Sequence, residues 1–515
     1  MLVKKLALLT SALLLSSCAV GPDWMRPDAP GDAGYTTGDQ KTVTSSSDTV
    51  GGTAQNFAVG AQIPGEWWQL FHNDTLNAYV VEAMKNNPSL DAAAASLREA
   101  HEAVAAGRGA FYPQISGSAN VTRSKNTTAE FGGGSSSSAI PFNLLYTVYD
   151  STVSASYNVD VWGGTRRQVE SEEATEEYQR YELEADYLTL TSNVVAAAVE
   201  DASLRAQIAA TEDIIKIDSD ALKILNSQFE LGAVAKTDVL TEQTTVAQAK
   251  ALLPPLRKQL AQTRNELMAL MGRFPNQDDG AGFDLEKLTL PVDLPVSLPS
   301  DLVNQRPDIR AAEAQLHSAQ AELGVATANM LPQLSLSASY GIESTSTGTL
   351  FSPGNDLWNL GAGLTQPIFE GFTLLYQKRE AEAAYDAALA NYKATVIGAF
   401  QNVADALRAV ESDADALAAS KEAADSAAQS LKIAQMQFDA GSLTYLLLLT
   451  SQQQYQQTRL ALAQAEAQRY ADTAALFQAL GGGWWSRVDI PETDESDYRA
   501  RKRAENPAQA AKDLK

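Results

Sequence analysis

Apolar and polar residues alternate with period two in four stretches of this chain and recur with a 4,3 spacing in two longer ones. Strands and long helices are therefore both written into the sequence. From Tyr149 to Val161 the odd positions read Tyr, Ser, Val, Ala, Tyr, Val, Val, and the even positions from Asp150 read Asp, Thr, Ser, Ser, Asn, Asp. Trp358, Leu360, Ala362, Leu364 and Ile368 alternate in the same way with Asn359, Gly361, Gly363 and Thr365. Two further stretches agree: Ile115, Gly117, Ala119 and Val121 against Ser116, Ser118, Asn120 and Thr122, and Leu334 to Ile342 against Gln333 to Gly341. One face of each strand is apolar and the other small and polar. A transmembrane barrel strand shows this pattern over about 9–11 residues, as does a half-buried soluble sheet.

The helical signal is a seam running from Leu183 through Leu190, Val194, Leu204, Ile215 and Leu225 to Phe229, interrupted only by Asp201, Thr211 and Asp218. Val396, Phe400, Val403, Leu407, Val410, Ala414 and Leu417 repeat the rhythm. This is coiled-coil spacing. A helix from Arg166 to Leu231 would be about 100 Å long at 1.5 Å per residue, too long for the core of a compact domain. Asp201 and Asp218 either face an aqueous lumen or mark a shift of register.

The chain is a tandem duplication. Asn87-Pro88 opens a helix that runs to Tyr112-Pro113-Gln114, and Arg306-Pro307 opens one that runs to Leu331-Pro332-Gln333, both proline pairs recurring at an offset of 219 residues. Phe229-Glu230-Leu231-Gly232 matches Phe438-Asp439-Ala440-Gly441 at an offset of 209, and Gly272 and Gly481 keep that offset. The length difference falls on the Gly- and Ser-rich stretch Thr127 to Ser138, expected to be an exposed hairpin tip. Each unit orders its elements as helix, strand pair, long helix, glycine turn, helix. Four strands are too few to close a barrel, and an open sheet edge is not tolerated in lipid. Several protomers must therefore pool their strands in a cyclic oligomer. Three chains giving four each would make a twelve-stranded barrel around a pore.

Composition narrows the chemistry. The formal net charge is −24, with alanine-rich tracts and one cysteine. Such an acidic surface excludes nucleic acid, which needs clustered Lys and Arg. One cysteine allows no internal disulfide, and His72, His101 and His317 lack metal-ligand spacing. No nucleophile–base constellation, phosphate-cradling loop or metal motif is present, so neither an enzyme nor a cofactor is implied. Lys4 and Lys5, the apolar run Leu6 to Leu15 and then Ser16-Ser17-Cys18 describe a secretory signal, too short to span a membrane. Leu15-Ser16-Ser17-Cys18 also resembles the bacterial lipobox, which makes Cys18 the expected lipidation site. Ala19 after it favours sorting to the outer membrane by the same resemblance. Residues 31–60, rich in Gly, Ser, Thr and Asp, read as a flexible tether.

These features together resemble the TolC-like outer-membrane efflux proteins, and the start Cys18-Ala19-Val20-Gly21-Pro22-Asp23-Trp24 resembles their NodT-type lipoprotein branch. Trp67-Trp68-Gln69-Leu70-Phe71 with Asn87-Pro88 is similar to the family's opening segment, and Leu231 to Leu240 to its periplasmic tip. The resemblance implies a mixed, mainly α fold: a homotrimer with a twelve-stranded β-barrel, four strands per chain, continued by a long α-helical coiled-coil tunnel. It implies docking on a periplasmic adaptor (membrane fusion) protein linked to an inner-membrane pump, with the channel passive and set in outer-membrane lipid. Gly232 and Gly441 would be adaptor-contacting tips, and Asp238, Leu447 and Thr450 would sit at the periplasmic tunnel mouth. The family's acids at the sixth and ninth positions after the second tip glycine are Leu447 and Thr450 here, which makes the expected constriction apolar. Asp238 is equally expected as the N-cap of the return helix. The expected organisation is a signal peptide (1–17), a lipidated N-terminus and tether (18–62), a first repeat (63–272), a linker (273–299), a second repeat (300–485) and a tail (486–515). The competing readings are a type I secretion channel and a non-channel periplasmic coiled-coil lipoprotein.

Overall fold

The computed structural model describes residues 19–28, 34–36, 41–125 and 145–487. The signal peptide, Cys18, the 127–138 tip and the tail from 488 lie outside the described residues. In chain order the elements are β1 (Asn56–Val59), α1 (Asp74–Asn86), α2 (Pro88–Arg108), β2 (Gln114–Lys125), β3 (Leu145–Val159), α3 (Gly164–Glu230), α4 (Lys236–Leu270), β4 (Asp293–Val296), α5 (Pro299–Gln305), α6 (Pro307–Ala328), β5 (Gln333–Ser344), β6 (Asp356–Thr365), α7 (Thr373–Asp439) and α8 (Tyr445–Ala479). The duplication is visible in the element lengths: α3 and α7 have 67 residues each, α4 and α8 have 35, and β2 and β5 have 12. The chain divides into two compact units, one of residues 1–28, 93–181 and 311–395, the other of 29–92, 182–310 and 396–515.

The first unit holds a four-stranded antiparallel sheet in the order β2-β3-β5-β6. Its register places the apolar positions of all four strands in common rows: Ile115, Ala155, Ala338 and Leu360 pair across the sheet, as do Gly117, Val153, Tyr340 and Trp358. The rows between them are polar, as in Ser116, Ser154, Ser339 and Asn359. Directly paired residues share a face, so the period-two pattern of four separate strands becomes one apolar surface. Strand β6 ends at Thr365, two residues before Pro367, which has no N–H for the ladder. Ile368, expected at the end of this strand, lies beyond it and is exposed.

In the same unit, residues 19–28 are held against the helices. Trp24 stacks on His317 with centroids 4.5 Å apart. Arg167 donates to Asp23 at 2.7 Å, and Arg26 pairs with Glu313 at 2.8 Å.

The second unit has an aromatic core in which Trp67 stacks on Phe477 at 5.4 Å and Phe71 meets Tyr470. Here the proline motifs explain themselves. Asn87 Nδ2 donates to the Leu270 carbonyl at 2.8 Å, and Arg306 Nη1 donates to the Ala479 carbonyl at 2.8 Å. In each repeat the residue before the helix-opening proline caps the last turn of the returning helix, where carbonyls lack partners. Gly272 and Gly481 follow those turns at φ +71° and +93°, and a Cβ on either would crowd the carbonyl oxygen of Asn86 or Gln305. The matched spacings of the two repeats therefore record one contact made twice.

The segment expected as a flexible tether is, over residues 41–60, a bonded strap. Strand β1 pairs in parallel with β4. The buried Arg469 guanidinium donates to the carbonyls of Gly51, Thr53 and Val410. Gln55 donates to Pro291 O at 2.9 Å. A composition of small polar residues fits a tether and a hydrogen-bonded strap equally well; the buried cation on α8 decides between them.

Candidate functional site

The expected tips Gly232 and Gly441 make two turns in the second unit, and the expected mouth residues lie on the helices that follow them. At the first turn Ala233 N donates to Gln228 O at 2.8 Å and Gly232 N to Phe229 O at 2.9 Å, with Gly232 at φ +75°. At the second, Ser442 N donates to Gln437 O and Gly441 N to Phe438 O, both at 2.9 Å, with Gly441 at φ +72°. These are paired Schellman closures. Nothing lies within 4 Å of a Cβ built on either glycine, so the left-handed backbone alone calls for glycine there.

Asp238 is not the N-cap of the return helix. Ala235 occupies that position and Asp238 is at N3, its carboxylate accepting from Ala235 N at 3.3 Å. This is half of a capping box, displaced from the expected site because α4 begins two residues before it. Asp238 is half-buried, and Leu447 and Thr450 on the first turns of α8 are exposed. Leu447 and Thr450 line an open groove of about 540 Å³ with Ile433, Gln437, Leu443 and Ser451. Large apolar side chains are exposed around both turns: Leu231, Leu446, Leu447 and Met436.

Behind the turns is a cluster that the sequence reading missed. Leu225 of α3, Val239 of α4, Leu431 and Phe438 of α7, and Tyr445, Leu448 and Leu449 of α8 pack together. Tyr445 Oη donates to the Glu242 carboxylate, which is fully buried. Asp218 is buried beside it, and its carboxyl is pushed up to about 7 by burial and then by the Glu242 charge. Burial likewise raises Glu242, against the opposing effect of the Tyr445 hydrogen bond. The available signal was a carboxylate inside an apolar stripe, since Glu242 stands between Val239 and Val246 on the buried face of α4.

Asp201 and Asp218 do not line an aqueous lumen; both are enclosed within the unit. Asp201 pairs with Arg205 at 2.7 Å and Arg264 at 3.8 Å and accepts from Phe283 N at 2.9 Å. At Asp201 a buried ion pair and a backbone hydrogen bond take over from apolar packing, and at Asp218 the seam carries a buried carboxyl beside Glu242.

A family model described as outer membrane efflux protein matches residues 79–273 and 298–482. The pyoverdine export outer membrane protein OpmQ of Pseudomonas aeruginosa is 27% identical over 94% of this chain and 98% of its own length. The probable efflux pump outer membrane protein TtgC of Pseudomonas putida is 27% identical over 94% of this chain and 96% of its own. Among solved structures, the outer-membrane channel OprN superposes with a TM-score of 0.80 at 25% identity, covering 91% of this chain and 100% of that one. The outer membrane protein VceC of Vibrio cholerae does so with a TM-score of 0.75 at 26% identity, covering 82% and 100%.

Proposed function

The chain belongs to the outer membrane efflux protein family and is an outer-membrane efflux channel with the TolC-like fold, and we propose that three copies form a passive exit duct for small molecules within a tripartite pump. The observation that carries this reading is the sheet. Strands β2 and β6 are its edges, and one face is an apolar surface bearing exposed Ile115, Val153, Trp358, Leu360 and Leu364. Lipid accepts such a face only when the edges are closed, and further copies of the same chain supply the missing partners. Aromatic side chains near both ends of the strands, Tyr149 at one and Trp162 and Phe369 at the other, suit the two interfaces of a bilayer. The chemistry of the cargo is set by the pump. Relatives named for pyoverdine export and for efflux pumps make small molecules the favoured cargo over secreted protein.

In this reading the two glycine turns form the periplasmic mouth, with exposed Leu231, Leu446 and Met436 offering apolar contacts to the adaptor. Leu447 and Thr450 make the constriction apolar, closed by packing in place of charge. Cys18 carries the lipid anchor. Its replacement by serine is expected to abolish incorporation of labelled palmitate while leaving the trimer intact. Incorporation that survives would move the modification elsewhere.

Single-channel recording in planar bilayers tests the mouth. The wild type is expected to conduct in discrete steps, and Leu447→Asp to gain block by millimolar divalent cations through a ring of new carboxylates. Steps indifferent to that substitution would displace Leu447 from the mouth. A protein that neither inserts nor trimerises would favour a periplasmic spacer.

A further inference from the structure

Three helices from the two repeats meet at the buried acids behind the turns. Asp218 comes from the last third of α3 and is 2% exposed; Glu242 comes from the second turn of α4 and is 0% exposed. Tyr445 is the first residue of α8 and is 8% exposed. The Tyr445 hydroxyl is the donor to one Glu242 oxygen, and the other, Oε1, is buried with no hydrogen-bond partner.

Among the described residues, neither carboxylate forms an ion pair. Lys216, Lys223 and Lys432 on the surrounding turns are exposed, and Lys236 lies over the Phe229 ring at 5.0 Å. A third acid, Asp238, also acts on Tyr445. Helix α7 packs Leu431, Ala434 and Phe438 into the same cluster. Two carboxyls enclosed this way cannot both ionise without placing like charges in a low-dielectric core. An unpartnered buried carboxylate oxygen next to a second carboxyl is a place for a proton.

We propose that Asp218, Glu242 and Tyr445 form a proton-held latch that pins the start of α8 to α3 and α4, and that loss of the proton releases it. The effect on flow rests on the reading of the turns as the tunnel mouth. In acid both carboxyls are neutral, packed or separated, and the latch is closed. Above the ordinary carboxylate range the separated helices ionise freely while the packed ones resist. The packed arrangement therefore loses stability as pH rises from about 4, with Asp218 giving up its proton near about 7. The mouth is thus held shut in acid and loosened in mild alkali.

Hydrogen exchange and conductance, measured on the full-length trimer between pH 5.5 and 8.5, separate the latch from the mouth. After correction for intrinsic exchange, peptides covering Asp218, Glu242 and Tyr445 are expected to lose at least about ten-fold protection across this range in the wild type. The Asp218→Asn/Glu242→Gln variant, which is neutral at every pH, is expected to lose none. Tyr445→Phe removes the donor that favours the Glu242 anion, so its transition is expected to move up by about one pH unit. Wild-type conductance is expected to rise with the same midpoint and to stay low in the double amide variant. A wild-type pH profile retained in that variant, or no transition in the wild type, overturns the latch. Protection that follows pH as expected while conductance ignores it would uphold the latch and remove these helices from the mouth.

Discussion

Asp201→Ala is expected to cost about 3–5 kcal/mol of stability, because it breaks a buried charge cluster and leaves its partners behind. The carboxylate is 0% exposed and accepts from Arg205 Nε at 2.7 Å and from Phe283 N at 2.9 Å, with Arg264 Nη1 at 3.8 Å. Alanine strands the buried Phe283 N–H and withdraws one of the acids that face Arg264, whose side chain is only 6% exposed. Arg264 would keep Asp278 and Asp279, so the cluster is weakened and the loop around Phe283 loosened. Thermal melting of the purified trimer measures the effect. Asp220→Ala, which removes an exposed pair with Lys223, serves as the control and should melt with the wild type, since exposed pairs contribute little. A lumen-facing Asp201 would behave in the opposite way, with stability unchanged and cation conductance altered. Normal conductance together with a lowered melting point is the expected result.

The Asp201 case marks where sequence stops being informative. A 4,3 spacing reports that a position faces the seam, and it did so correctly for Leu204 and Leu225, both buried. It cannot report what waits opposite. The partners of Asp201 come from the same helix, from α4 and from the loop at 278–283, and only the fold brings them together. Glu242 and Tyr445 were hidden for the same reason, being some 200 residues apart in the chain and bonded in the structure. Residues 41–60 were misread because Ser, Thr and Gly serve a hydrogen-bonded strap as well as a free linker, and the deciding residue, Arg469, lies far along the chain. Local geometry was far more legible. The glycine turns were evident because φ near +75° is costly for any other residue. The strands were evident because a face against lipid and a face against water impose period two without reference to any partner. Asp238 falls between these cases: the turn fixed where α4 begins to within a few residues, and the cap itself is Ala235.

The same alternation yields a sharper test of the barrel, Val153→Arg beside Ser154→Arg. The two residues are neighbours on β3, so they point to opposite faces. Val153 lies between Gly117 and Tyr340 in an apolar row, and Ser154 between Ser116 and Ser339 in a hydroxyl row. Near the middle of the strand, arginine on the lipid face costs ~2–4 kcal/mol, and a trimer incurs that cost in every copy. Val153→Arg is therefore expected to prevent most of the protein from reaching the outer membrane as heat-resistant trimer. Ser154→Arg places its charge in the aqueous lumen, where water solvates it. It should assemble at near wild-type yield while lowering single-channel conductance for cations, because three added positive charges then surround the pore. The contrast cannot arise from size or helix packing, since both variants put the same side chain at adjacent positions in one strand. Equal assembly of the two would mean that neither face meets lipid and that the sheet is a half-buried soluble one. The reverse ranking would put the hydroxyl face against lipid and invert the assignment of inside and outside.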